Sequence, residues 1–265
     1  MTVERLRTRS GSDLHVEDRG KGPAILALHG LGGGAWFFAG FARRLSAEYR
    51  VISLDLAGTG RSVAAADPST ALWVADICDI LRDRLGGPAV ILGHSLGTIL
   101  ALQASAACPQ HIRALIFAGG LPEPRPLIKA RLTERATAVA RDGLAGSGPQ
   151  VAAGNFARAT LERQPELVGM FERLFEAQNP DGYVRACRVL IDASSAACLS
   201  AVRVPCLSIS GAEDQYAPPE LVAAFTRELP GGCREEVFPD CGHLPFLEAP
   251  DAFAAAVKSF LATLC

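Results

Sequence analysis

Short apolar runs at recurring intervals constrain this chain more than any other feature. They are "AILALHG" (24–30), "RVISLDL" (50–56), "AVILGH" (89–94), "IRALIFAGG" (112–120), "CLSISG" (206–211) and the weaker "REEVF" (234–238). Continuous Val/Ile/Leu runs bounded by glycine are the mark of strands buried on both faces. Helical patterns fall between them: "WFFAGFARRLSAEY", "STALWVADICDILRDRL", "LGTILALQASAACP", "PELVAAFTREL" and "PDAFAAAVKSFLATL". With a hairpin expected over residues 2–20, the alternation predicts a mostly parallel eight-stranded sheet with helices on both faces. One interval departs from it. From Leu121 to Val204 no convincing strand occurs, and helical patterns fill "LIKARLTERATAVARDGL" and "ELVGMFERLFEAQ". An unstructured loop of that length is improbable in a compact domain, so residues 122–202 are expected to form an inserted helical lid on a core of 1–121 and 203–265.

Composition excludes several classes of function. Apolar residues make up 49% of the 265 and charged residues 20%, enough for a sizeable core. A net charge of −2 with no basic block argues against nucleic acid. The charged N-terminus has no apolar core of a signal peptide, so a cytoplasmic location is expected. Residues 89–107 approach the length of a membrane span, but polar residues divide them into a strand and a helix, and no membrane association is expected. The cysteines Cys78, Cys108, Cys187, Cys198, Cys206, Cys233, Cys241 and Cys265 form no C-x-x-C pair and no metal-ligand spacing. They read as small core residues in a reducing compartment, with Cys241, near His243, as the one candidate for a reactive thiol.

Ser95, in "VILGHSLGTIL", lies between a strand pattern and a helix pattern with glycine two residues before and two after. A G-x-S-x-G string alone means little, but a turn that sharp needs flanks without a Cβ, and it holds the hydroxyl at the strand's C-terminal edge. Leu96 then opens a helix with a free backbone N–H directed at a developing oxyanion. A serine hydroxyl needs a base, and the base needs an acid to hold its tautomer. In this kind of sheet the partners follow in the order serine, acid, histidine. His15, His29 and His94 precede Ser95, and His111 falls at the wrong end of a strand, which leaves His243. Asp214, just after "CLSISG", is the best-placed acid, with Asp240 and Glu123 as alternatives.

The loop "HGLGGGAW" is placed to supply a second oxyanion donor, and its glycines, Gly32 among them, allow a substrate to approach the backbone. A phosphate loop is the weaker reading, since neither G-x-G-x-x-G with a following acid nor G-K-[ST] is present. His29 and His94 border these loops and are expected to make structural hydrogen bonds, with His94 also a candidate to touch substrate. Trp36, Phe37 and Phe38 read as core residues, and Arg61 with Ser62 as a turn closing the fourth strand.

With "HGLGG", "DLAGTGRS", "GHSLG", "GAEDQYAPPE" and "GHLPFLEAPDAF" in this order, the chain resembles the α/β-hydrolase superfamily over residues 20–121 and 203–264. The resemblance implies nucleophile Ser95, acid Asp214, base His243 and an oxyanion hole from the N–H groups of Leu31 and Leu96, with no metal or cofactor. A serine at this position argues against haloalkane dehalogenases and epoxide hydrolases, which carry aspartate there. Hydroxynitrile lyases place lysine where this chain has Leu244. The lid segment "PDGYVRACRVLIDASS" is similar to that of 3-oxoadipate enol-lactonases, which open a lactone bearing a carboxylate. The expected activity is hydrolysis of a small-molecule ester or lactone. Alternatives are a C–C bond hydrolase of meta-cleavage products, a perhydrolase, cofactor-free oxygen chemistry, and a slow-turnover ligand receptor. Of the lid arginines (Arg125, Arg131, Arg135, Arg141, Arg158, Arg163, Arg173, Arg185, Arg188), most should be solvated. Arg185 and Arg188 are the first candidates to turn inward onto a substrate carboxylate.

Overall fold

A computed structural model describes residues 1–264; Cys265 lies outside the described residues. The chain opens with the hairpin β1 (Thr2–Arg7) and β2 (Asp13–Arg19), followed by β3 (Ala24–Leu28), a 3-10 turn at Ala35–Phe38, and α1 (Ala39–Leu45). Next come β4 (Arg50–Leu54), α2 (Thr70–Arg84), β5 (Ala89–His94), α3 (Leu96–Ala107) and β6 (Ile112–Ala118). Five helices precede the next strand: α4 (Pro126–Asp142), α5 (Gly148–Asn155), α6 (Arg158–Arg163), α7 (Pro165–Glu176) and α8 (Pro180–Asp192). β7 (Cys206–Gly211), α9 (Pro219–Thr226), β8 (Cys233–Phe238), α10 (Pro245–Glu248) and α11 (Pro250–Ala262) complete it.

The eight strands form one sheet in the order β1-β2-β4-β3-β5-β6-β7-β8. β2 pairs antiparallel with β1 and β4, and every other pairing is parallel. All residues of β5 and β7 are buried, as strands covered on both faces must be. α1 packs on α11 and α2 on α3. Phe37 and Phe38 are in the core, while Trp36 is half-buried with its ring edge-on to Phe37. Val90, Ile91 and Leu92 in β5 and Ile99 to Leu102 in α3 make the former membrane-like run a buried strand and a buried helix. No helix among the described residues is long and apolar enough to cross a membrane.

The cysteines depart from expectation at one pair. Cys78 on α2 and Cys108 just after α3 are joined by a disulfide, their Cα atoms 6.2 Å apart. Nothing in their spacing signals this; the side-by-side packing of α2 and α3 creates it. Cys187, Cys198, Cys206, Cys233 and Cys241 are free thiols. Cys241 is no activated thiol: burial, with Glu248, Asp240 and Glu213 nearby, pushes its pKa up to about 12.

Candidate active site

The parallel strands end together, and the loops after β5, β6, β7 and β8 meet at one edge of the sheet. Between β5 and α3 the chain reverses at Ser95, which has φ 52° and ψ −114°. It has the one positive φ among the described non-glycine residues. The flanking glycines are a steric requirement. A Cβ on Gly93 would lie 2.3 Å from the Gly97 carbonyl oxygen, and a Cβ on Gly97 would lie 2.2 Å from that of Leu28. The Ser95 N–H donates to the Ala118 carbonyl at 3.1 Å, tying the turn to β6.

Asp214 follows β7 and His243 follows β8, so the topology brings their side chains to one place although 29 residues separate them. The His243 Nδ1 to Asp214 Oδ2 distance is 2.8 Å, and both residues are buried. Asp214 Oδ1 accepts from the N–H groups of Tyr216 (2.8 Å) and Ala217 (2.9 Å), which fixes the carboxylate facing the ring. Gly119, at φ 55°, leaves room for the pair: a Cβ there would stand 2.9 Å from the His243 carbonyl oxygen and 3.0 Å from Asp214 Oδ2. The alternative acids are elsewhere. Asp240 is exposed, and Glu123, also exposed, lines the rim of the cavity without bonding His243.

A sequence reading does not reveal what braces this histidine. The His243 N–H donates to the Asn155 carbonyl of α5 at 2.7 Å. Glu248, buried on α10, accepts through Oε1 from the N–H groups of Gly242 (2.8 Å) and Leu244 (3.3 Å). Through Oε2 it accepts from Ala157 N–H and the Thr160 hydroxyl, both at 2.8 Å. One carboxylate thus joins both sides of the histidine to the first turn of α6 and the residue before it. Burial raises its pKa, against the pull of those four donors.

Ser95, His243, Leu31 and Leu96 all line one cavity of about 680 Å³, counting its open mouth. Leu96 is the first residue of α3, so its N–H lies ahead of the helical ladder. Gly32 is not in the lining. At φ 74° it packs beneath two rings, and a Cβ there would meet Phe175 at 2.8 Å and Tyr183 at 3.3 Å. Its proposed contact with substrate is therefore replaced by a packing role. His29 is structural: Nδ1–H donates to the Gly30 carbonyl at 2.7 Å, and Nε2 accepts from Leu56 N–H at 2.9 Å. His94 does line the cavity, its ring 4.8 Å from that of His243. Its Nε2–H donates to the His243 carbonyl at 3.0 Å, and burial, then the neighbouring His243, holds its pKa well below the usual range.

The expectation for the lid arginines needs correction. Arg185 and Arg188 are both exposed on α8, whose Tyr183, Cys187 and Leu190 at intervals of four and three face inward. The inward arginine is Arg135 on α4. It lines the cavity and reaches the hydroxyls of Tyr183 (3.5 Å) and Tyr216 (3.4 Å). A signal for it existed in the sequence. Ile128, Leu132, Ala136 and Val139 form the buried stripe of α4, and Arg135 falls within that stripe, seven residues after Ile128. Arg61 and Ser62 close the turn after β4 as expected, with Arg61 N–H on Asp55 Oδ2 at 2.8 Å and the Ser62 hydroxyl on the Asp55 carbonyl at 2.6 Å.

A relative of known name matches along nearly the whole length of both chains. The chain is 28% identical over 263 residues to a pimeloyl-[acyl-carrier protein] methyl ester esterase of Chromobacterium violaceum, covering 95% of this chain and 99% of that one. Among solved structures it is similar to a thermophilic esterase of Thermogutta terrifontis, at TM-score 0.91 and 25% identity, over 100% and 99% of the two chains. The enol-lactonase of Burkholderia xenovorans, at TM-score 0.89 and 22% identity over 98% and 100%, shares the fold. The model of the α/β hydrolase fold family matches residues 23–250, which takes in the turn at Ser95 and the loops of Asp214 and His243, and the chain belongs to that family.

Proposed function

We propose that the chain is a serine hydrolase that cleaves an ester or lactone bond of a small molecule through an acyl-enzyme on Ser95. One observation carries the reading: a hydroxyl held at positive φ shares a cavity with a histidine whose Nδ1 is bound to a buried carboxylate at 2.8 Å. Bonded in that way, Nδ1 keeps the proton and Nε2 is the free base. The Ser95 oxygen attacks the carbonyl carbon while His243 Nε2 takes its proton. The tetrahedral oxyanion is held by the N–H groups of Leu31 and Leu96, and the imidazolium faces Asp214. His243 then returns the proton to the leaving alkoxide or enolate. Water repeats the attack on the acyl-enzyme and releases the acid.

Residues 122–202 act in this reading as a lid. Ile128, Leu132, Val151 and Leu190, from its helices, line the same cavity as Ser95, so the lid sets which acyl group fits. The relatives named as esterases support an ester as the bond broken.

The test is an active-site fluorophosphonate label located by mass spectrometry, with p-nitrophenyl acetate turnover beside it. Label is expected on Ser95, and Ser95→Ala is expected to lose about three orders of magnitude or more in kcat. A Ser95→Ala enzyme that turns over the ester at the wild-type rate ends the proposal.

A further inference from the structure

Arg135 is the one arginine or lysine in a cavity wall that mixes apolar side chains with polar ones, with Glu123 the one carboxylate among them. It sits on the buried stripe of α4, and no carboxylate among the described residues lies within ion-pair distance of it. Its side-chain hydrogen bonds among the described residues are two long ones, to the hydroxyls of Tyr183 and Tyr216. A guanidinium stays charged under all ordinary conditions, so removing it from bulk water without an anion is costly unless an anion arrives. Tyr183 is buried on α8, and Tyr216 stands two residues after Asp214 in the loop after β7. The two phenols therefore hold the planar fork from two different elements, and its other N–H donors are left for a ligand.

We propose that Arg135, held between Tyr183 and Tyr216, is the anion-recognition residue of this cavity, and that the preferred substrates are esters or lactones carrying a free carboxylate away from the reacting carbonyl. The inference rests on the serine-hydrolase reading for the reaction, but not for the binding. Recognition follows from geometry. A carboxylate accepts two parallel N–H bonds from a guanidinium, and each phenol can donate one more. The apolar part of the same lining, Ile128, Leu132, Val151 and Leu190, suits a short run of methylene groups. An all-apolar ester would leave the guanidinium both desolvated and unpaired.

The discriminating pair is monomethyl adipate and methyl hexanoate, which share a chain length and a methyl ester and differ in the terminal carboxylate. Wild type is expected to favour monomethyl adipate in kcat/KM by about tenfold or more. Arg135→Gln should lower that substrate on the order of 10- to 100-fold while raising methyl hexanoate, which no longer buries an unpaired guanidinium. Arg135→Lys, which keeps the charge but not the fork, should fall between. Equal loss on both esters in Arg135→Gln, or a wild-type preference for methyl hexanoate, overturns the proposal. A second measurement does not depend on turnover: calorimetric binding of each ester to Ser95→Ala. Preferential binding of monomethyl adipate that disappears in the Ser95→Ala, Arg135→Gln double variant supports the anion site, and equal binding of the two esters refutes it. If Ser95→Ala still hydrolyses both esters at the wild-type rate, the nucleophile assignment fails while the binding preference is judged on its own.

Discussion

Ser95 is held at φ 52° and ψ −114°, a conformation that residues with a Cβ rarely adopt. Such a position costs on the order of 1–3 kcal/mol and persists only where the surroundings impose it. Here the surroundings are specific: the Gly93 and Gly97 backbones leave no room for any other path, and Ala118 takes the Ser95 N–H. The strain places the hydroxyl on the cavity, where a relaxed serine inside the helix would point into the core. Removing the hydroxyl should leave the strain, and removing the Cβ should release it. We therefore expect Ser95→Gly to be more stable than Ser95→Ala by about 1 kcal/mol in urea denaturation, with both variants inactive. Equal midpoints would mean that the turn is unstrained. Gly93, Ser95 and Gly97 were legible in the sequence because the requirement is local: a strand, a helix and a turn too tight for side chains.

At the level of elements, the sequence showed which stretches are helices better than it showed how they turn. The apolar stripe of α4 and that of α8 both follow the helical period, yet the inward arginine stands on α4 and not on α8. Arg185 and Arg188 fall two and five residues after Tyr183, on the side turned to solvent. Arg135 was hidden because a charged residue inside an apolar stripe is ordinarily read as a break in the stripe. Glu248 was hidden for another reason. Its donors come from α10's own entry, Gly242 and Leu244, and from Ala157 and Thr160 some ninety residues earlier. No local pattern predicts four donors meeting at one buried carboxylate. Glu248→Ala leaves all four unsatisfied, and a loss of about 2–4 kcal/mol is expected in thermal or urea unfolding. Since Gly242 and Leu244 flank His243, kcat for any ester should fall with it, and Ser95 labelling by fluorophosphonate should slow in parallel. Unchanged labelling would separate Glu248 from the placement of His243.

For the whole molecule, stability should respond to acid through Asp55. Its side chain, buried at the end of β4, accepts from Ala35 N–H at 2.7 Å and Arg61 N–H at 2.8 Å, and so joins the loops after β3 and β4. Burial alone would raise its pKa; the two backbone donors, with His29 and Arg61 nearby, more than offset this and lower it. A depressed acid pKa gives stability that is complete above the unfolded-state value near about 4 and is lost as pH falls through the folded-state value. Asp55→Asn is expected to be less stable than wild type by about 1–3 kcal/mol at pH 7, with the gap narrowing below about pH 4. A gap that stays constant down to pH 3 would show that Asp55 does not titrate with unfolding.

By itself, the sequence determined the order of strands and helices, the tight turn at Ser95, and the two loops in which Asp214 and His243 stand. These are decided by periodicity, by glycine placement and by the position of each residue along a parallel sheet, all of which are written in linear order. Only the tertiary structure decided which lid arginine faces the cavity, that Gly32 packs beneath Phe175 and Tyr183, that Cys78 meets Cys108, and that Glu248 braces the histidine loop. Each of these depends on how separately stable elements rotate and press against one another, and side-chain packing across distant segments leaves no local period to read.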